Sequence, residues 1–158
     1  MRVKGIIDED FVNYKKPSMV IMFPNCSFKC DKESGRQVCQ NGSLAASQDI
    51  KVTYQNIVDR YVNNPITQAV VFAGLEPFDS YYETVSLIKA FRMAGVKDEI
   101  VIYTGYTEEE AEKFITQHLT TFSPLIIKYG RFIPDQEKHF DETLGVYLAS
   151  NNQYAKVI

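Results

Sequence analysis

All three cysteines of the chain fall within one stretch, Phe23 to Asn41, reading FPNCSFKCDKESGRQVCQN. Cys26, Cys30 and Cys39 follow the spacing Cys-x3-Cys-x8-Cys directly after the apolar run Met19–Phe23, so the loop leaves the end of an expected strand and turns back on itself. Thiolates are soft ligands, and three on one loop suit a metal or an iron–sulfur cluster. Two other readings stay open on the residues alone. Disulfide pairing would leave one cysteine over, and the first residues carry neither the apolar stretch nor the small-residue cleavage site of a secretory signal. A structural zinc site closes with four ligands, and the histidines, His118 and His139, are distant in sequence, so one of them would have to fold back. Three protein ligands without an evident fourth imply a centre with an open coordination position, where a substrate or cofactor binds directly.

The elements that must position this loop read as an α/β domain. Ser18–Phe23 (SMVIMF) is a continuous apolar run between Pro17 and Pro24, the pattern of a strand buried in a parallel sheet. A short strand is expected before it, over Val3–Ile7, ending by the Lys15-Lys16-Pro17 break. The charged DKESGR segment between Cys30 and Cys39 reads as a solvent-facing excursion. Thr53 caps a helix to Val62, with Ile57, Val58, Tyr61 and Val62 at helical spacing and Asn63-Asn64-Pro65 as its stop. Gln68–Ala73 (QAVVFA) is a second strand. Tyr81–Ala94 is a helix with Val85, Leu87, Ile88, Phe91 and Met93 on its apolar side and Gly95 beyond its end. Glu99–Thr104 is a third strand, Thr107 caps a helix that opens with three glutamates and runs to about Leu119, and Pro124–Tyr129 is a fourth strand.

Strand and helix thus alternate, which favours a parallel sheet with right-handed crossovers. Ligands of such sheets bind at the carboxyl ends of the strands. Each unusual feature of the chain lies at one of those ends: the cysteine loop, Gly74-Leu75-Glu76-Pro77, Thr104-Gly105-Tyr106 and Gly130-Arg131. The tail, residues 131–158, is irregular, with strand-like pieces at Val146–Ala149 and Tyr154–Ile158, and suits either pairing with a partner or covering the open side of the sheet.

Length and composition set outer bounds. A chain of 158 residues fits one domain and is short of the roughly 200 residues of a complete eight-fold barrel. It is 45% hydrophobic and 23% charged, with no apolar run near the roughly 20 residues of a membrane span, so a cytoplasmic protein without a membrane partner is expected. A net charge of -3 argues against a nucleic-acid partner.

In their order and spacing these motifs resemble the radical S-adenosylmethionine (SAM) proteins, and within them the activating proteins of anaerobic (class III) ribonucleotide reductases. The likeness covers nearly the whole chain: DFVNY at Asp10–Tyr14, VIMFPNCSFKC at Val20–Cys30, VVFAGLEPF at Val70–Phe78, EIVIYTGYTEEE at Glu99–Glu110, IIKYGRF at Ile126–Phe132 and ASNNQ at Ala149–Gln153. It implies a single radical SAM domain over residues 1–158, with its cysteine loop at 24–41, folded as a partial, open βα barrel with a mainly parallel sheet. It further implies a [4Fe-4S] cluster on Cys26, Cys30 and Cys39, with SAM on the fourth iron through its amino and carboxylate groups. Reductive cleavage of SAM would give methionine and a 5′-deoxyadenosyl radical, which takes hydrogen from a glycine of the partner, the large subunit of the anaerobic reductase. An electron donor such as flavodoxin is implied, and no catalytic side chain beyond cluster and SAM. Glu76 falls where the family carries a carboxylate for the methionine ammonium, Gly74 would let the backbone approach the ligand, and Thr104 and Tyr106 would wall the SAM pocket.

The chain departs from that pattern in several places. The second cysteine gap is eight residues where the family has two, and the aromatic residue before the last cysteine is here Val38, leaving Phe28 or Phe23 as substitutes. Leu75 stands where the family has a second glycine, and Tyr129 where relatives have an aspartate before Gly130. Alternatives are a radical SAM enzyme with another glycyl-radical or small-molecule target, and a zinc-stabilised or degenerate binding protein without catalysis.

Overall fold

The computed structural model describes residues 1–158. In chain order its elements are β1 (Arg2–Val3), β2 (Gly5–Asp10), β3 (Ser18–Phe23), α1 (Lys29–Ser34), α2 (Gly42–Ala46), β4 (Ile50–Lys51), α3 (Tyr54–Val62) and β5 (Ala69–Gly74). There follow α4 (Tyr81–Met93), β6 (Glu99–Tyr103), α5 (Glu108–His118), β7 (Leu125–Tyr129), β8 (His139–Asp141), β9 (Val146–Leu148) and β10 (Tyr154–Val157). Six strands form one sheet in the order β10-β7-β6-β5-β3-β2. The run β3, β5, β6, β7 is parallel throughout, while β2 and β10 join its two edges antiparallel. The fold is therefore mixed α/β with a mostly parallel sheet, and the sheet does not close into a barrel.

The parallel strands are apolar along their length because both of their faces are covered. Side chains alternate between faces. Met19, Ile21, Phe23, Val70, Phe72, Ile100, Ile102, Leu125 and Ile127 pack beneath the helices with Ile57, Val58, Leu87, Ile88 and Phe91. Val20, Val71, Val101 and Ile126 point the other way and pack with Tyr14, Leu144 and Leu148. Of the two roles expected for the tail, the structure shows the covering one: the β8–β9 hairpin covers the open face, while β10 extends the sheet along β7 of the same chain.

Several helix expectations hold at their ends. Thr53 accepts a hydrogen bond from Asn56 N–H at the start of α3, and Thr107 and Glu110 form a reciprocal capping box on α5. Other details are corrected. The expected single strand Val3–Ile7 is two strands, β1 pairing with β4 and β2 with β3, because Val3 is drawn into the helix-side core. Met93 is 78% exposed and does not belong to the apolar side of α4. It lies roughly 200° around the helix from Phe91, and the buried stripe is Thr84, Leu87, Ile88 and Phe91. The segment after Cys30 faces solvent as expected, and its first part is helical: α1 buries no residue and is closed by Gly35 in the left-handed region. No helix is long and apolar enough to cross a membrane.

Candidate metal centre

The base of the cysteine loop is pinned to the turn that follows β5. Glu76 N–H donates to Asn25 O at 2.7 Å, Leu75 N–H to Phe23 O at 3.3 Å, and Ser27 N–H to the Asp79 carboxylate. Phe28 then adopts a left-handed conformation and starts α1, which carries Cys30. The long return to Cys39 is closed by one carboxylate: Asp31 Oδ1 accepts from Val38 N–H at 2.7 Å and from Cys39 N–H at 2.8 Å. Asp31 neighbours Cys30 in sequence, so this bond folds the eight-residue gap back onto the second cysteine. A loop of this length adds only on the order of 1 kcal/mol of closure free energy.

Cys26, Cys30 and Cys39 are free thiols, each partly buried. Burial pushes the Cys26 thiol up to about 12, against a hydrogen bond from Phe28 N–H, and the Cys30 thiol up to about 11, with Cys39 adding to the effect. Ligation at these sulfurs therefore has to displace protons. All three line a cavity of about 460 Å3, and Gly74, Glu76, Thr104 and Tyr106 line the same cavity. The candidate residues at the ends of β3, β5 and β6 thus line one cavity, joined by Gly130 and Arg131 beyond β7.

Glu76 is not a water-facing turn residue; it is 5% exposed. Its Oε1 accepts from Phe78 N–H at 3.0 Å and Thr104 Oγ1 at 2.8 Å, and its Oε2 from Gly105 N–H at 2.7 Å. Burial raises its carboxyl to about 7 despite these donors. Thr104 orients Glu76 and accepts from Tyr106 N–H, leaving the helix cap to Thr107. Tyr106 O–H donates to Asp79 Oδ1 at 2.6 Å, with its ring under the Lys29 ammonium at 4.1 Å.

Gly74 is needed for a reason other than ligand approach. Its φ is +85°, and a Cβ there would stand 2.8 Å from Met22 Cα, so the missing side chain makes room for β3. Leu75 needs no positive φ, which Gly74 supplies.

The residues present fit an iron–sulfur cluster by the chemistry of the donor set: three free thiols line one cavity, and thiolates are the ligands such clusters take. Neither histidine lines the cavity: His118 sits against Tyr81, and His139 lies on β8. The sequence profile of the family described as 4Fe-4S single cluster domain matches residues 17–154. The chain belongs to this 4Fe-4S single cluster domain family. Neither curated protein sequences nor solved structures give a significant match.

In this 4Fe-4S domain, of the two aromatic residues expected to replace the one missing at Val38, Phe23 is fully buried against Phe72, and neither it nor Phe28 lines the cavity. Three features of the site escaped sequence reasoning. Asp31 is one. The second is an ionic clasp in which Arg131 reaches Glu110 at 2.7 Å and Glu33 at 3.4 Å while Lys29 reaches Glu110 at 2.9 Å, tying α1 to α5 and to the exit of β7. The third is Lys128, a cavity-lining lysine only 6% exposed, whose signal was a single charge inside the apolar strand LIIKY. The ASNNQ stretch lies beside the site: Gln153 Nε2 and Asn152 Nδ2 donate to the carbonyls of Gly130 and Arg131.

Proposed function

We propose that the chain is a radical SAM activase that generates a glycyl radical on the large subunit of anaerobic ribonucleoside-triphosphate reductase, taking its electron from a donor such as flavodoxin. One juxtaposition carries the reading: three thiols from the loop after β3, Glu76 after β5, and Thr104 and Tyr106 after β6 line a single cavity. Parallel strands with helices on one face and the cavity on the other suit an open, partial βα barrel of the radical SAM type.

Cys26, Cys30 and Cys39 would hold the [4Fe-4S] cluster, and three protein thiolates leave one iron for SAM. When bound, the cluster supplies the electron that splits SAM into methionine and a 5′-deoxyadenosyl radical. The chain's own residues orient and seal. Glu76 accepts three hydrogen bonds from the protein, and of roughly four acceptor positions on a carboxylate one remains for the methionine ammonium. Val20, Met22, Ala73 and Leu148 give the cavity an apolar lining that excludes water. At its mouth Val12 and Tyr147 are each 72% exposed, an apolar lip suited to a protein partner.

Anaerobic reconstitution tests the reading. The expected result is about four irons per chain, 5′-deoxyadenosine released from SAM only with a reductant, and a glycyl radical signal when the reductase is added. Cys39→Ala should abolish both the cluster and SAM cleavage. Colourless protein that retains zinc would exclude this function, and SAM cleavage without a radical on the reductase would redirect it to another target.

A further inference from the structure

No apolar contact fixes Cys30. Its helix α1 buries no residue and starts without a side-chain cap, so polar contacts at its surface have to hold it. Lys29, Cys30 and Glu33 fall within about 100° of one another around that helix, and both charged neighbours reach the same hub. Arg131 Nη2 donates to Glu110 Oε1 at 2.9 Å and Oε2 at 2.7 Å and lies 3.4 Å from Glu33 Oε1, while Lys29 Nζ shares Glu110 at 2.9 Å. Arg131 is 9% exposed and lines the cavity of the three thiols. Its ion pairs all run through Nη2, and its Nε–H is shielded from water with no hydrogen-bond partner. A guanidinium has five N–H donors, and an unused one on a buried cation is costly until an acceptor arrives to take it.

We propose that Arg131 is a tuning residue of the metal centre, which positions Cys30 through α1 and offers its unused guanidinium donor to the anionic cluster that three thiolates would hold. The inference rests on Cys26, Cys30 and Cys39 as the cluster ligands and requires neither SAM nor the reductase. Three thiolates bring negative charge into the cavity, and reduction adds one electron more. A fixed cation with a hydrogen bond to give favours the reduced state over the oxidised one, and so raises the reduction potential. Glu33 and Glu110 act in the opposite sense, since they hold the guanidinium in place but also offset its charge.

Redox titration of anaerobically reconstituted protein without SAM, followed by the electron paramagnetic resonance signal of the reduced cluster, tests this. Arg131→Met should weaken the reduction equilibrium by about tenfold, the scale of one charge-assisted hydrogen bond, which lowers the one-electron midpoint by about 59 mV. Arg131→Lys, which keeps the charge, should recover part of that shift. Glu33→Gln loosens the clasp but leaves Arg131 with less opposing charge, so its midpoint should match wild type or rise. A merely structural clasp gives the reverse, with Glu33→Gln falling as Arg131→Met does, and that result overturns the proposal. An Arg131→Met midpoint equal to wild type overturns it too. Should Arg131→Met take up no iron, Arg131→Gln is compared with Arg131→Lys: a higher midpoint for the lysine variant upholds the role, and equal midpoints overturn it. Wild type that takes up no cluster would remove the ligand set itself, and this inference with it.

Discussion

At the scale of single residues, the departure in cysteine spacing finds its account in Asp31. Its carboxylate takes the N–H groups of Val38 and Cys39, so the third thiol is brought home by a side chain rather than by a short loop. Asp31→Ala should lower iron retention by about tenfold, as expected for the loss of charge-assisted hydrogen bonds, while barely moving the thermal midpoint, since α1 buries nothing. Iron analysis beside a melting curve separates the two. Glu76→Gln turns an amide nitrogen toward Gly105 N–H and should cost about 1–3 kcal/mol in denaturant unfolding, because a buried donor loses its acceptor. Lys128 gives a pH signature. Its folded value of about 7 lies below the ordinary 10.5, so the unfolded chain binds more protons between these values and stability rises with pH across that window. Lys128→Met should therefore be the more stable protein at neutral pH, with the gap closing toward pH 10, in paired urea titrations. The cysteines, Glu76, Thr104 and Tyr106 were legible as candidates from type and position, and they line one cavity. Asp31 and Lys128 were not, because what distinguishes them is a bond across a loop and burial on one strand face.

At the scale of elements, the segments that the sequence announced are those carried by repetition. β3 and β5–β7 are continuous apolar runs, and α3 to α5 show helical spacing with threonine caps at α3 and α5. The elements that went unseen are short and lack such repetition. α1 has six residues, starts from a left-handed Phe28 without a side-chain cap, and buries no residue, so neither periodicity nor capping marks it. β4 has two residues and β8 three, and both exist through pairing with β1 and β9. Gly74 shows how close the packing of elements becomes at the site. Gly74→Ala sets a Cβ 2.8 Å from the Met22 backbone at a φ of +85°, and should destabilise by about 2–4 kcal/mol through overpacking and backbone strain. Chemical denaturation measures the loss, and loosening of the β3–β5 pair should reduce cluster retention with it.

At the scale of the whole molecule, one sheet serves two cores, and the second depends on the tail. Leu144 is fully buried among Val20, Val71, Val101 and Ile126, so Leu144→Ala should cost about 2–5 kcal/mol. The hairpin also lines the cavity through Val146 to Ala149, so the same variant should make the cluster bleach faster in air, read from the decay of its visible absorption. Sequence patterning could not choose between covering and pairing outward for this tail, since its apolar residues are mixed: Leu144 and Leu148 are buried while Phe140 and Tyr147 are exposed, and type alone does not separate them. The outer strands β2 and β10 never meet, and this shapes what the molecule can admit. A closed ring has a fixed bore, and widening it breaks a ladder of hydrogen bonds. An arc can spread between its two rims with every rung intact, so a bulky guest such as a polypeptide loop can enter from the side and leave again without unzipping the wall.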